Sequence, residues 1–206
     1  MRNTRADRAN TRHHGVMSAG YEVRRPGSDD GDLPTGHGIR RARPDDYDSL
    51  IAVVDNWWGA TVVQDLPRMF LDHFHRTSLI ACDADGISGF LVGFGSPSDP
   101  DTAYIHFVAV RPDARKVGLG RTLYDRFFAI ARADGRKVVT AITSPANFTS
   151  IDFHRSLGFT VTGPVLDYNG PGRSLVTFRR ELGRAGLSAG RRVGNRSPEV
   201  DYGQAG

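Results

Sequence analysis

The pattern Arg115-x-x-Gly118-x-Gly120 lies between a β-branched run that ends at Val110 and a segment with helical spacing of apolar residues. Glycine accepts the positive φ angles that let consecutive backbone N–H groups turn toward one point. A helix that begins there adds unpaired first-turn N–H groups and the positive end of its dipole. A loop of this kind can bind a diphosphate, so the segment predicts a site for a phosphorylated cofactor.

Two better-known phosphate loops do not fit this segment. Leu123 stands where a dinucleotide fingerprint has its third glycine, and the Gly-Lys-Ser/Thr ending of a P-loop is missing. Taken alone, the two glycines are also compatible with an ordinary tight turn into a helix. A second motif is therefore needed to choose between these interpretations.

The second motif reads NxxSxxFHxxxGF from Asn147 to Phe159, one strand and one turn after the first. With both motifs in this order, the chain resembles the GNAT superfamily of N-acetyltransferases over residues 38–182. The stretch from Val110 to Leu123 is similar to the acetyl-CoA pyrophosphate motif of that family. The second motif is similar to the segment that flanks the pantetheine arm.

The resemblance implies acetyl-CoA as co-substrate and assigns it to named residues. Residues 108–110 would lie on a strand that splays from its neighbour and pairs with pantetheine, with the N–H of Val110 polarising the thioester carbonyl. Asn147 would reach the pantetheine arm beside Phe153, although a helix N-cap is an equally good interpretation of Asn147. Charge at the pyrophosphate would come from Arg115 or Lys116. The remaining predicted contacts are Val108, Ala109, Val117, Gly118, Leu119, Gly120, Arg121 and Thr122.

Catalysis requires a base for the attacking amine and an acid for the leaving thiolate. His154 occupies the position where the family commonly has a tyrosine acting as general acid. Tyr104 stands where some relatives have an acidic base, and His106, two residues later on the same strand face, is the preferred base, directly or through water. A buried core histidine is the alternative for both His106 and His154.

The acceptor is predicted to be a primary amine of a small molecule such as an amino acid, a polyamine or an antibiotic. Asp55, Trp57 and Trp58 combine an acid with aromatic faces that attract a cation, and Asp167 and Tyr168 lie in a loop that shapes the acceptor pocket in relatives. Packed tryptophans and a simple turn are the structural alternatives. A protein N-terminus or lysine as acceptor, and a CoA-binding regulatory module without catalysis, are the functional ones.

The hydrophobic periodicity predicts the helices and strands that must position these residues, and they form an α/β fold. We expect helices over residues 44–58, 66–75, 118–133 and 147–157. Strands are expected over residues 38–42, 78–82, 87–94, 103–110, 137–143, 159–163 and 173–181. The resulting β-α-α-β-β-β-α-β-α-β-β order predicts an α/β fold with a mixed sheet that is not doubly wound. The resemblance implies a GNAT-like, mostly antiparallel central sheet of about seven strands flanked by about four helices.

The two ends of the 206-residue chain differ in composition from the middle, so residues 1–37 and 183–206 are predicted to be disordered tails around one domain. Six arginines against two acids give residues 1–25 a charge of +4, and residues 183–206 carry +2, so the formal +4 of the chain leaves −2 for residues 26–182. The basic excess thus belongs to the tails, and a nucleic-acid partner is not expected.

The cysteine content and the hydropathy of the chain bear on disulfides, metal sites and cellular location. Cys82 is the only cysteine, so neither an internal disulfide nor a cysteine zinc cluster is possible, and no metal is predicted. No apolar run reaches the roughly 20 residues that span a bilayer, and no apolar stretch follows the arginine-rich start. We therefore expect a cytoplasmic protein without a membrane partner. The resemblance also implies a possible homodimer.

Overall fold

The computed structural model describes residues 38–183, and the predicted tails, apart from Gly183, lie outside the described residues. The helices are α1 (Tyr47–Trp58), α2 (Met69–Phe74), α3 (Leu119–Ala133) and α4 (Phe148–Ser156). The strands are β1 (Gly38–Arg41), β2 (Leu79–Asp83), β3 (Gly86–Gly95), β4 (Thr102–Val110), β5 (Val138–Thr143), β6 (Thr160–Val165) and β7 (Leu175–Glu181).

The seven strands form one sheet in the order β1-β2-β3-β4-β5-β7-β6. Every neighbouring pair is antiparallel except β4 and β5, which run parallel because α3 crosses between them. The predicted GNAT-like sheet with about seven strands and about four helices is confirmed.

Two hydrophobic cores cover the two faces of this sheet. The α3 core lies between the sheet and helices α3 and α4, and its large buried members include Leu119, Leu123, Phe127, Phe128 and Phe178. The α1 core lies between the opposite face and helices α1 and α2, with Leu50, Val54, Leu71, Phe90 and Phe107 among its members. Each side therefore contributes a layer of helices, as burial of the apolar helix faces requires.

The bounds of most elements differ from the predicted ones by one to three residues. Helix α2 begins at Met69 and not at residue 66, because residues 63–65 form a separate 3-10 turn and Leu66 is not helical. Strand β6 continues past Gly163 to Val165, where a shift of register between Thr162 and Val165 lets pairing with β7 resume. Within residues 38–183 no helix has the length and apolar character needed to cross a bilayer.

Candidate active site

Strands β4 and β5 are paired only at their beginnings. Thr102, Ala103 and Tyr104 pair with residues 138–140, and no pairing of the two strands continues beyond that point. The carboxyl-terminal halves of β4 and β5 therefore diverge, and the sheet opens at its centre.

The backbone of β4 faces this opening at Val108 and Val110. The N–H of Arg111 donates to the carbonyl of Ser88 on β3, at 2.9 Å between nitrogen and oxygen. Since hydrogen-bonded pairs alternate along an antiparallel ladder, the N–H and C=O groups of Val110 and Val108 point away from β3 and toward the β5 side. The splayed strand implied by the resemblance thus has its counterpart in the structure.

A β-bulge at His106 shapes β4 beside the opening. Val92 of β3 pairs with Phe107 and the next residue, Gly93, pairs with Ile105, so His106 is the extra residue. A bulge bends the strand and increases its twist, and it reverses which face the following side chains point to. Accordingly Ile105 belongs to the α3 core, whereas Phe107 belongs to the α1 core.

The loop between β4 and α3 presents six backbone N–H groups without an acceptor. Within the described chain, the amides of residues 116–121 have no hydrogen-bond partner, and the first helical bond runs from Thr122 to Gly118 at 3.0 Å. Lys116 and Gly118 have positive φ angles, +66° and +90°. A non-glycine residue held there costs about 1–2 kcal/mol, and strain of this kind is concentrated at functional sites. Exposed, unpaired amides at a helix N-terminus can bind an anion.

Packing around Gly120 fixes where this loop lies. A Cβ atom built on Gly120 would lie 3.4 Å from the ring of Phe153 on α4 and 3.9 Å from Val110 on β4. Helix α3 therefore begins in direct contact with the end of β4 and with α4. Phe153 supports the loop from its buried side, and the six amides are called the cradle below.

Arg115 connects the start of the cradle to α1 and β4. Its guanidinium donates to the backbone carbonyl of Trp57, and its Nε donates to the carbonyl of Val110 at 3.0 Å. These bonds tie the start of the cradle to the end of α1, and the expected contact of Arg115 with a pyrophosphate stays a prediction. Lys116 and Arg121 are the other cations beside the cradle. Both are exposed, and Arg121 donates to the carbonyl of Ser156 at 3.1 Å.

A cavity of about 570 Å³ continues from the opening between β4 and β5. Residues from both strands, from the segment between α1 and α2, and from the loop after β6 contribute to it. Its walls are aromatic on one side and carry uncharged polar groups on the other. The lining residues are Trp58, Val62, Gln64, Asp65, Pro67, Phe70, Tyr104, His106, Phe107, Ile142, Thr143, Ser144, Asn147, Asn169 and Leu175.

His106 lines this cavity with its tautomer fixed. Its Nε2 lies 2.7 Å from the carbonyl oxygen of Asp65, and a carbonyl only accepts, so Nε2 carries the proton. The ring stacks on Phe70, with 3.8 Å between centroids. Burial lowers the pKa of His106 below 6.5, although the bond to Asp65 works in the opposite direction. A neutral imidazole with an unprotonated Nδ1 is thereby held in the cavity wall, as a general base requires.

Tyr104 lines the same cavity, on the strand face it shares with His106. The two ring centroids are 6.4 Å apart. Burial raises the pKa of Tyr104 to about 12, and the neighbouring Tyr168 adds to the shift. Tyr104 therefore keeps its phenolic proton at neutral pH and can act only as a proton donor or as a hydrogen-bonding group.

His154 is a buried core histidine and does not line the cavity. Its Nδ1 lies 2.7 Å from the carbonyl of Ser150 and must donate to it, so Nε2 accepts from the hydroxyl of Tyr124 at 3.0 Å. Its ring stacks on Phe178 at 3.8 Å. Burial lowers the pKa of His154 to about 4. Since the ring is neutral and both nitrogens are engaged, the general-acid role expected from the motif is not supported here.

This environment makes the stability of the fold depend on pH. In the unfolded chain His154 binds a proton below about pH 6.5, whereas in the folded chain it binds one only below about pH 4. The free energy of unfolding therefore falls as the pH falls from about 6.5 to about 4. We expect His154 to account for a loss of roughly 2 kcal/mol between about pH 7.5 and pH 5. Urea unfolding of the wild type and of a His154→Phe/Tyr124→Phe double variant, each at several pH values, measures this loss of unfolding free energy. The variant should have the flatter pH dependence, and equal slopes would contradict the assignment.

Asn147 has both of its predicted roles available. Its Oδ1 accepts from the N–H of Ser150 at 3.1 Å, which makes it the N-cap of α4. It also lines the cavity where β4 and β5 separate. The side-chain amide can therefore donate to a ligand in the opening while its oxygen caps the helix.

Of the three acceptor residues expected near the end of α1, only Trp58 lines the cavity. Trp58 lies 5.2 Å from Phe107 between ring centroids and is 42% exposed. Trp57 is buried in the α1 core. The Oδ1 of Asp55 accepts from the N–H groups of Val62 and Val63 at 2.7 and 2.8 Å, so this carboxylate holds the loop after α1. Asp55 and Trp57 thus have structural contacts, and their expected contacts with the substrate stay predictions.

The loop after β6 contributes a different residue from the two expected. Asp167 accepts from the N–H of Gly172 at 2.7 Å and so shapes the turn, and neither it nor the half-exposed Tyr168 lines the cavity. Asn169 does. Thr143 and Ser144 also line the cavity, although their sequence did not single them out. Both lie at the carboxyl end of β5, which is parallel to β4. Because the carboxyl ends of parallel strands meet at the same edge of a sheet, this position could have indicated that they lie near the predicted β4 residues.

Comparison with known proteins agrees with this geometry. A model of the acetyltransferase (GNAT) family matches residues 44–159, more than half of the chain. The chain belongs to the GNAT acetyltransferase family. The match includes α1, the splayed β4, the cradle, β5 and α4, which build the opening and most of the cavity lining.

Individual GNAT relatives match over shorter lengths. An L-methionine sulfoximine/L-methionine sulfone acetyltransferase of Pseudomonas aeruginosa is 37% identical over 91 residues, 41% of this chain and 51% of that protein. An L-2,4-diaminobutyric acid acetyltransferase of Shouchella clausii is 29% identical over 89 residues, 43% and 50% of the two chains. The chain thus spans about half the length of these curated relatives.

A solved structure shares the fold. N-acetylglutamate synthase of Neisseria gonorrhoeae, complexed with coenzyme A and N-acetyl-glutamate, superimposes with a TM-score of 0.59 at 21% sequence identity. The superposition covers 72% of this chain and 35% of that one. At this identity the likeness shows the GNAT fold alone.

Proposed function

We propose that the protein is an N-acetyltransferase that moves an acetyl group from acetyl-CoA to the primary amine of a small molecule. The observation that carries this proposal is the continuity of three features: the cradle, the open edge of β4, and a cavity with a neutral histidine in its wall. Membership in the GNAT family supports the same reaction class. The two curated relatives are named for small amino compounds, which supports a small-molecule acceptor.

The residues fit the shape and chemistry of acetyl-CoA. The cradle amides would bind the pyrophosphate, with Lys116 and Arg121 adding positive charge. The N–H and C=O groups of Val108 would pair with the amide-rich pantetheine arm as an added strand does, and Asn147 would donate to it from the other wall. Acetyl-CoA supplies the acetyl group as a thioester.

The chain's own groups account for the proton transfers of a direct attack. Nδ1 of His106, directly or through one water, accepts the proton that the amine loses as its nitrogen bonds to the acetyl carbon. The N–H of Val110 donates to the thioester oxygen, where negative charge develops. The carbon–sulfur bond breaks, and Tyr104, the protonated phenol of the cavity, is the candidate donor to the leaving thiolate. Both substrates must be bound together, so a ternary complex is required.

An acceptor screen tests the proposal. The full chain is mixed with acetyl-CoA and a panel of primary amines, amino acids and polyamines, and the free thiol of CoA is followed over time. We expect thiol release that requires both the protein and an acceptor, with the acetylated amine identified by mass. Absence of transfer to every acceptor, while acetyl-CoA still binds, would favour the regulatory-module alternative.

A further inference from the structure

The lining of the acceptor cavity has an unusual charge pattern for a site that would take an amino acid. Among the described residues that line it, none is a lysine or an arginine, and the one acidic residue is Asp65. An amino acid has a carboxylate beside its amine, and a carboxylate removed from water without a cation is costly. Asp65 would add repulsion to this cost.

The cations on the elements around the cavity are engaged elsewhere or point to solvent. The guanidinium of Arg115 is bound to the carbonyls of Trp57 and Val110. Arg68 pairs with Asp48 at 2.7 Å and covers the ring of Tyr47. Arg173, in the loop that carries Asn169, is exposed and does not line the cavity.

The aromatic residues of the cavity lining favour an ammonium group and an apolar body over a carboxylate. Trp58, Phe70 and Phe107 line the cavity with aromatic rings, and His106 stacks on Phe70. Ring faces attract an ammonium group and bury an apolar body, but they offer nothing to a carboxylate. Asp65, the one acidic residue of the described lining, has the charge that would attract a single ammonium group.

From this pattern we infer that the acceptor is a monoamine with an aromatic or apolar body and no carboxylate. The inference rests on the proposed transferase function and narrows its acceptor class. It separates this chain from the curated relatives, whose names specify amino-acid acceptors. Gln64, Thr143 and Asn169 remain as neutral groups that can bind an uncharged polar substituent of such an amine.

Matched acceptors that differ only in the carboxylate test the inference. The pairs are 2-phenylethylamine with L-phenylalanine, and tryptamine with L-tryptophan, and L-phenylalaninamide serves as an acceptor of similar size without the charge. We expect kcat/KM to be at least about tenfold higher for each amine than for its amino acid, a difference of roughly 1.4 kcal/mol. L-phenylalaninamide should lie closer to the amine than to the amino acid.

A variant tests whether the absence of a cation from the cavity lining disfavours amino-acid acceptors. Gln64→Arg places a guanidinium in the lining, and Gln64→Met is the matched uncharged control. We expect Gln64→Arg, but not Gln64→Met, to raise the ratio of kcat/KM for L-phenylalanine over 2-phenylethylamine by about tenfold.

The outcomes separate the inference from the function on which it rests. Amino acids acetylated as well as, or better than, the matched amines would overturn the inference and leave the transferase assignment intact. Loss of amino-acid turnover in Arg173→Gln would then identify the exposed arginine as the carboxylate partner. Transfer to no member of any pair, nor to any compound of the acceptor screen, would overturn both.

Discussion

Replacing Gly118 with aspartate should weaken acetyl-CoA binding by about 100-fold or more. The side chain would lie beside the six unpaired amides, in space where a Cβ atom at Gly118 meets nothing within 4 Å. Two like charges about 4 Å apart repel by roughly 4 kcal/mol at the effective dielectric constant of a protein surface, and a pyrophosphate carries more than one charge. Calorimetric titration with acetyl-CoA measures the loss.

Gly118→Asn is the matched control for this variant. Gly118 has a φ of +90°, and asparagine and aspartate tolerate positive φ to a similar degree, so the two variants share strain and size. Binding by Gly118→Asn should therefore lie much closer to the wild type. Equal dissociation constants for the two variants would show that the cradle does not hold an anion.

Replacing His106 with glutamine should lower kcat by about 100-fold and leave the dissociation constant of acetyl-CoA unchanged. General-base catalysis contributes about this much, and a glutamine side chain keeps an N–H that can donate to Asp65 but offers no basic nitrogen. Because burial lowers the pKa of His106, the acid limb of the wild-type kcat profile should lie below pH 6.5, and the variant should lack that limb.

His75→Gln is the control for His106→Gln. His75 is also partly buried, and its Nδ1 also lies at hydrogen-bonding distance, 2.9 Å, from a backbone carbonyl, that of Leu71. It does not line the cavity. A similar drop in kcat for both variants, or an unchanged acid limb in His106→Gln, would remove His106 from the mechanism.

The fold was largely predictable because its signals are local. Alternating apolar residues, helix-ending glycines and the loop before α3 each follow from a few neighbouring residues. Gly59 and Gly158 end their helices with φ angles of +68° and +80°, as their sequence positions indicated. One error lies where the signal is not local, because β6 continues beyond Gly163 where pairing with β7 resumes.

The site was less predictable, because side chains compete for partners that are distant in sequence. Asp55 and Arg115 have the right charge for ligands, but backbone groups of neighbouring segments already engage them. The motif positioned His154 correctly on α4, whereas the sequence does not reveal that Tyr124 and Phe178 enclose its ring. Strand alternation correctly predicts that His106 shares a face with Tyr104, because the β-bulge lies at His106 and the strand between the two residues is regular.

The most direct test of the central claim is an amide chemical-shift map of the isotope-labelled protein during titration with acetyl-CoA. If acetyl-CoA binds in the opening between β4 and β5, the largest shifts should occur at the amides of Val108, Val110 and residues 116–121, because these are the N–H groups that gain new acceptors. Inorganic pyrophosphate should shift the amides of residues 116–121 and leave those of Val108 and Val110 in place. Shifts concentrated elsewhere, with the cradle amides unmoved, would contradict the claim.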